Sequence, residues 1–217
     1  MIKIKVPSTG QIYLAEKAAA YKPGAEVLVE AEGIIEPAII LPDKFNLKQE
    51  KVKVNILRPF SEEDYLVKKN LKEEARRYLE EAGKKTFRHG LSLKILDAEL
   101  SFDKKKLTFY FTAEGRVDFR SLVADMVGDF GKIIRLQQIG PRDEARLCGG
   151  YGKCGQELCC SRFFKNTTDI SLEMMETQDV SVVKQNKMAG CCGKLMCCLT
   201  YEMKTQEVEK NINKAVK

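Results

Sequence analysis

The chain has 217 residues, of which 44% are hydrophobic and 31% charged, and its formal net charge is +6 at pH 7. This composition is typical of a folded globular protein and excludes an intrinsically disordered chain, and no apolar run approaches the ~18 residues of a membrane span, so we expect no direct membrane insertion. The first residues alternate apolar and charged side chains instead of forming the apolar stretch of a signal peptide, and we therefore expect a cytoplasmic location.

Residues 1–50 are predicted to form a small β-barrel. Apolar and charged side chains alternate over residues 2–6, and further β-prone runs lie at 27–31 and 38–41, with Gly33 placed to turn the chain between them. Several short strands separated by turns are typical of a small barrel.

Residues 51–147 are predicted to form an α+β domain. The patterns of period 2 and period 3.6 follow one another as a strand near 52–57, a helix at 61–83, strands at 91–100 and 107–111, a helix at 118–130 and a strand at 133–139. Ser61 and Asp118 are expected to cap the two helices, and Gly83 and Gly131 to end them. The order β-α-β-β-α-β predicts the split-βαβ arrangement of ferredoxin-like folds.

The cysteines lie together in the last third of the chain, while residues 1–147 contain none. They are Cys148, Cys154, Cys159, Cys160, Cys191, Cys192, Cys197 and Cys198. Disulfide frameworks spread their cysteines more widely, so this clustering in a reducing cytosol indicates metal or redox chemistry. We predict an irregular Cys/Gly-rich metal-binding module over residues 148–202, followed by a charged tail over 203–217.

Six of these cysteines form a repeat. The motif Cys-Gly-x-x-(Leu/Met)-Cys-Cys occurs at residues 154–160 and again at 192–198, a constant offset of 38 residues. Such a duplication predicts two symmetric half-sites that either share one metal centre or hold one each. Cys148 and Cys191 lie outside the motif and are either a further ligand pair or bystanders.

The ligand type and spacing favour iron–sulfur over zinc. Structural zinc loops usually pair ligands as C-x(2–4)-C and often include histidine, whereas the only histidine, His89, is far away in sequence. Spacings of four and five residues between thiolates suit the larger perimeter of a cluster. We therefore predict one or two 4Fe-4S clusters, with zinc as the alternative.

Two other functions remain open at this stage. A zinc-stabilised nucleic-acid-binding module would use the barrel together with Arg162, Phe163 and Lys165, which mix a base-stacking aromatic with cations. A thiol redox protein would use the neighbouring pairs Cys159-Cys160 and Cys197-Cys198, although a disulfide between direct neighbours is strained.

Several segments resemble one known family, the bacterial RicT (YaaT) proteins, which carry the PSP-one C-terminal domain. The segments are Gly-Arg-Val-Asp-Phe-Arg at 115–120, Gln-Ile-Gly-Pro-Arg-Asp-Glu-Ala at 138–145, and the two cysteine motifs with Leu-Thr-Tyr-Glu at 199–202. The resemblance implies Cys154, Cys159, Cys160, Cys192, Cys197 and Cys198 as the iron–sulfur ligands.

The same resemblance implies a regulatory subunit that is not an enzyme. RicT-like proteins join two small partners, RicA and RicF, in a complex that carries 4Fe-4S clusters. That complex is associated with mRNA processing by the membrane-anchored endoribonuclease RNase Y and with sporulation, competence and biofilm control. Cys191 stands where the family often has a small or apolar residue, and the presence of Cys148 varies within the family, so either cysteine can replace a ligand that the partners supply elsewhere.

Overall fold

The computed structural model describes residues 2–7, 12–15, 21–42, 53–164 and 188–200. The internal contacts divide the chain into two compact units, Met1–Gln138 and Ile139–Lys217. The domain limits that we predict at residues 50, 147 and 202 stay predictions, and the tail over 203–217 lies outside the described residues. Among the described helices, none is long and apolar enough to cross a membrane.

The N-terminal strands form a closed barrel, which confirms the predicted small β-barrel. The strands are β1 (Ile2–Lys5), β2 (Ile12–Ala15), β3 (Glu26–Ala31), β4 (Ile34–Ile40) and β5 (Lys53–Pro59), in the order β1-β2-β5-β3-β4. Ile4, Val27 and Val29 are fully buried at its centre. Glu32 and Gly33, both with positive φ, make the two-residue turn between β3 and β4. β2 was not predicted from the sequence.

The second sheet does not form the predicted ferredoxin-like unit. It has three strands, β6 (Leu93–Leu100), β7 (Lys106–Ala113) and β8 (Ile133–Gln138), in the order β6-β7-β8. β7 pairs with β6 antiparallel and with β8 parallel, so no strand separates the two parallel strands as a split-βαβ unit requires. The expected first strand of that unit is β5, which instead pairs with β2 and β3 in the barrel.

The second core lies between this sheet and two helices, α1 (Glu62–Arg88) and α2 (Arg120–Phe130). Leu107 and Phe109 of β7 pack in one fully buried cluster with Leu122 and Met126 of α2. Asp118 lies just before α2, where its Oδ1 accepts a hydrogen bond of 3.1 Å from the backbone nitrogen of Arg120. Gly131 ends α2 in the left-handed conformation, as predicted.

The predicted end of α1 at Gly83 is wrong, because the helix continues for another five residues to Arg88. A single glycine inside a helix costs only about 1 kcal/mol relative to alanine. The helical turn after Gly83 contains the buried Lys85, whose ammonium group pairs with Asp125 and Asp129 of α2. These hydrogen bonds raise the pKa of Lys85. Tertiary packing therefore overrides the local stop signal.

The start of α1 is attached to the barrel through the carboxylate of Asp64. Arg58 of β5 donates to both of its oxygens at 2.6 and 2.7 Å, and the backbone nitrogen and hydroxyl of Ser61 donate to Oδ2 at 2.8 and 2.9 Å. The hydrogen bonds from Arg58, followed by those from Ser61, hold the pKa of Asp64 well below its usual range.

This lowered pKa makes stability sensitive to acid. A carboxyl whose pKa is lower in the folded state than in the unfolded state stabilises the fold above about pH 4, and the contribution is lost as pH falls. We expect Asp64→Asn to lower the melting temperature at pH 7 and the difference from the wild type to shrink towards pH 3. Melting curves at several pH values measure this, with Glu63→Gln as the control for removing a neighbouring exposed charge. A difference independent of pH would contradict the expectation.

Candidate metal centre

All eight cysteines lie among the described residues, none of them in a disulfide bond, and all belong to the unit Ile139–Lys217. Two helices frame the first part of this unit, α3 (Pro141–Cys148) and α4 (Cys159–Arg162). Pro141 is at the first turn of α3, where its missing N–H costs nothing. α3 was not predicted from the sequence, although a proline directly after Gly140 is typical of the start of a helix.

The sequence repeat corresponds to a repeated backbone loop. We call residues 150–161 the first cysteine loop and residues 188–199 the second cysteine loop. In each, a short antiparallel bridge closes a turn, and the hydrogen-bonded atoms of the two loops correspond at the offset of 38 residues. The matched bonds are Gly152 N to Gln156 O and Gly190 N to Lys194 O (both 2.8 Å), Gly155 N to Gly152 O and Gly193 N to Gly190 O (both 3.0 Å), and Leu158 N to Gly150 O (3.1 Å) and Met196 N to Met188 O (2.9 Å).

In each loop, the thiol of the first motif cysteine lies close to the glycine at the start of the turn. A Cβ atom at Gly152 would lie 3.4 Å from Cys154 Sγ, and one at Gly190 would lie 3.6 Å from Cys192 Sγ. The glycine after each of these cysteines has positive φ, 77° at Gly155 and 75° at Gly193. Both loops therefore present their first thiol in the same local geometry.

The buried thiol of Cys160 lies within electrostatic range of the second cysteine loop. Burial is the largest cause that raises the pKa of Cys160, and repulsion from the Cys192 and Cys191 thiolates adds to it. The positive charge of Arg146 acts in the opposite direction. Cys160, which is only 5% exposed, therefore interacts electrostatically with cysteines that are more than 30 residues away in sequence.

Cys197 provides the reciprocal observation from the second cysteine loop. Its pKa is raised to about 11, first by burial and then by repulsion from Cys159, Cys160 and Cys198. A thiol with such a pKa is protonated at neutral pH unless a cation replaces its proton. A metal that binds Cys197 must therefore displace this proton.

The electrostatic interactions that shift the pKa of Cys160 and Cys197 involve six of the eight predicted ligands. The electrostatically linked group consists of Cys159, Cys160, Cys191, Cys192, Cys197 and Cys198. Cys154 is exposed, and Cys148 is exposed at the end of α3. A donor set made only of thiols fits a soft metal such as iron or zinc. Within the described ranges, no group of three or more His, Cys, Asp or Glu side chains is arranged to hold a metal ion.

Two arginines of α3 contact the cysteine loops, and neither was predicted from the sequence to be a functional residue. Arg146 Nε donates to the backbone oxygen of Cys160 at 3.0 Å, in the first cysteine loop. Arg142 Nη2 donates to the backbone oxygen of Leu195 at 3.3 Å, in the second cysteine loop. The available signal was their spacing of four residues, which places both side chains on one face of a helix.

The alternative nucleic-acid residues are only partly described. Arg162 is exposed at the end of α4, and Phe163 is 54% exposed with its ring 6.4 Å from that of Phe164. Lys165 lies outside the described residues. Arg162 and Phe163, which are consecutive in sequence, are therefore both exposed.

Comparison with known proteins places the chain in a family. The PSP1 C-terminal conserved region matches residues 54–139, and the third domain of PSP1-like proteins matches residues 169–212. The chain is 39% identical over 185 residues to the stage 0 sporulation protein YaaT of Bacillus subtilis, an alignment that covers 85% of this chain and 63% of YaaT. No solved structure matches the chain.

Two fungal proteins share a shorter stretch. Protein PSP1 of Saccharomyces cerevisiae is 56% identical and an uncharacterized protein of Schizosaccharomyces pombe is 53% identical, each over 36 residues. These alignments cover 17% of this chain and 4% and 5% of the fungal proteins. The chain thus spans less than two thirds of the length of the curated relatives that it matches.

The PSP1 C-terminal region followed by the repeated cysteine loop defines a PSP1-type protein. The chain belongs to the RicT (YaaT) family, which confirms the resemblance predicted from its motifs.

Proposed function

We propose that this chain is a non-enzymatic iron–sulfur regulatory protein of the RicT type, which acts as an adaptor between protein partners. The observation that carries the proposal is the electrostatic linkage of thiols from two equivalent loops, with Cys160 on one side and Cys197 on the other. The relative that supports a regulatory role is YaaT, which is named as a stage 0 sporulation protein.

The chain's own residues would hold a cluster by contributing thiolates from both cysteine loops. When bound, an iron–sulfur cluster supplies a centre that can carry an electron and a rigid set of bonds to cysteine sulfurs. The thiols of Cys160 and Cys197 would lose their protons on binding, against the raised pKa that burial gives them. Ligand binding and the ordering of the two loops are therefore coupled in free energy.

The partners that we propose are small RicA-like and RicF-like proteins, together with an RNase Y-type endoribonuclease whose mRNA processing the complex controls. Cys148, Cys154 and Cys191 are exposed, so a docked protein can approach their sulfur atoms. This supports an arrangement in which partners complete the ligand set. The proposed location is the cytoplasm, where thiols stay reduced.

Metal analysis under anaerobic conditions tests this proposal most directly. We expect brown protein with visible absorbance from thiolate-to-iron charge transfer, and with iron and acid-labile sulfide in equal amounts. The double variant Cys160→Ala/Cys197→Ala removes one buried thiol from each loop and should be colourless. Colourless wild-type protein with stoichiometric zinc would contradict the proposal and favour the zinc-stabilised module.

The adaptor role needs its own measurement. The chain should co-purify with RicA-like and RicF-like proteins when it carries iron, and the double variant should recover less of both. Binding to single-stranded RNA that weakens steeply with salt, in the absence of these partners, would instead favour a nucleic-acid-binding module.

A further inference from the structure

The two arginines of α3 occupy successive turns of one helix face but bind different loops. Arg146 donates to Cys160 O in the first cysteine loop, and Arg142 donates to Leu195 O in the second. Their spacing of four residues places their side chains next to each other along the helix. One rigid element of eight residues therefore touches both halves of the repeat.

Burial indicates that these contacts are built into the unit. Arg142 is only 8% exposed, and a buried guanidinium must have partners that replace its lost hydration. Arg146 is further oriented by Asp143, one turn earlier in α3, whose carboxylate lies 3.4 Å from Arg146 Nη1. The planar guanidinium group makes such bonds directional, so each arginine holds its backbone partner in a defined place.

We propose that Arg142 and Arg146 form an arginine clamp that sets the distance between the two cysteine loops. The clamp makes thiols from both loops available to one centre. The role of the clamp in metal binding rests on the proposed function. The distance that it sets between the two loops can be measured in the chain without metal. Arg142 and Arg146 are positioning residues, since they act on the ligands through the loop backbone.

The position of the arginines also places positive charge beside the thiols. Arg146 Nε lies 3.0 Å from the backbone oxygen of Cys160, which brings its positive charge close to this proposed ligand. Because a nearby cation stabilises the more negative state of a redox centre, removal of this charge should lower the reduction potential of a bound cluster. A purely structural role for Arg146 would not give this shift, whereas Arg146→Lys should largely prevent it.

The metal-free wild-type chain and its Arg142→Gln and Arg146→Gln variants provide the first test. Dibromobimane, a short reagent that joins two thiols, is added under anaerobic conditions, and the joined peptides are identified by mass spectrometry. We expect crosslinks between the loops to form about tenfold more slowly in each variant, as follows from the loss of a hydrogen bond made by a charged group. Lys153→Gln, which removes an exposed charge in the first cysteine loop, should crosslink like the wild type.

Folding is controlled with the Arg142→Lys and Arg146→Lys variants. Lysine keeps the charge and one donor, so these variants should have the circular dichroism of the wild type and intermediate crosslinking rates. Equal crosslinking rates in all the arginine variants and the wild type would overturn the clamp.

The second test separates the clamp from the proposed function. After iron–sulfur reconstitution, Arg146→Gln should retain less iron than Lys153→Gln and have a lower reduction potential, and Arg146→Lys should regain most of both. If the wild type binds no iron, the proposed function fails while the crosslinking result still decides the clamp. If the wild type binds iron and all variants crosslink equally, only the clamp fails.

Discussion

Cys160→Ala is expected to weaken the retention of metal by more than about 100-fold, because even residues that only support a ligand contribute 10–100-fold. Cys160 is the motif cysteine with the least exposed side chain, and its thiol is linked electrostatically to both cysteines at the start of the second loop. Its backbone oxygen is held by Arg146. Alanine removes the thiol and leaves that backbone contact in place. The loss of metal retention therefore measures the contribution of the sulfur atom.

Metal content and protease mapping together measure this effect. Because ligand binding is coupled to folding, residues 139–217 should become sensitive to protease in Cys160→Ala, while the unit Met1–Gln138 should stay resistant. Ser161→Ala changes the next residue, whose hydroxyl donates to Leu158 O at 3.0 Å, and should retain metal. Full metal retention by Cys160→Ala would remove this residue from the ligand set.

Metal content and protease mapping of Cys148→Ala test whether Cys148 is a ligand, a question that the sequence left open. Cys148 is exposed at the end of α3 and lies outside the repeated motif. We expect this variant to retain metal in the isolated chain. A loss equal to that of Cys160→Ala would make Cys148 a ligand.

Local signals in the sequence predicted those features that depend on nearby residues. The offset of 38 residues was sufficient to predict two equivalent loops, because the glycines and cysteines that shape each loop lie within it. The end of α2 was likewise predictable, since Gly131 adopts the left-handed conformation that glycine tolerates best. In both cases the determining contacts span only a few residues.

Features set by distant contacts were not predictable in this way. Alternation of apolar residues identifies β5 as a strand, but the same pattern suits the barrel and the second sheet. Gly83 does not end α1, because Lys85 pairs with two carboxylates on α2, more than 35 residues away in sequence. The role of Arg142 and Arg146 could not be predicted, because their partners are backbone oxygens, which every residue type has.

Breaking the buried ion pair between Glu36 and Lys106 is expected to reduce the free energy of unfolding by about 3–5 kcal/mol. Glu36 of β4 and Lys106 of β7 lie 2.9 Å apart, and their side chains are only 7% and 11% exposed. The pair connects the barrel to the three-stranded sheet within one unit. Glu36→Ala would leave the ammonium group buried without this carboxylate, and Lys106→Met would leave the carboxylate without this ammonium group.

A double-mutant cycle by chemical denaturation isolates the interaction between the two side chains. The double variant Glu36→Ala/Lys106→Met should be more stable than the sum of the two single effects predicts, since it removes both charges of the pair. The exposed pair Glu74 and Lys104, 2.7 Å apart, is the matched control, and Glu74→Ala should cost about 1 kcal/mol or less. Equal effects of Glu36→Ala and Glu74→Ala would show that burial adds nothing to this contact, and that other contacts hold the barrel against the sheet.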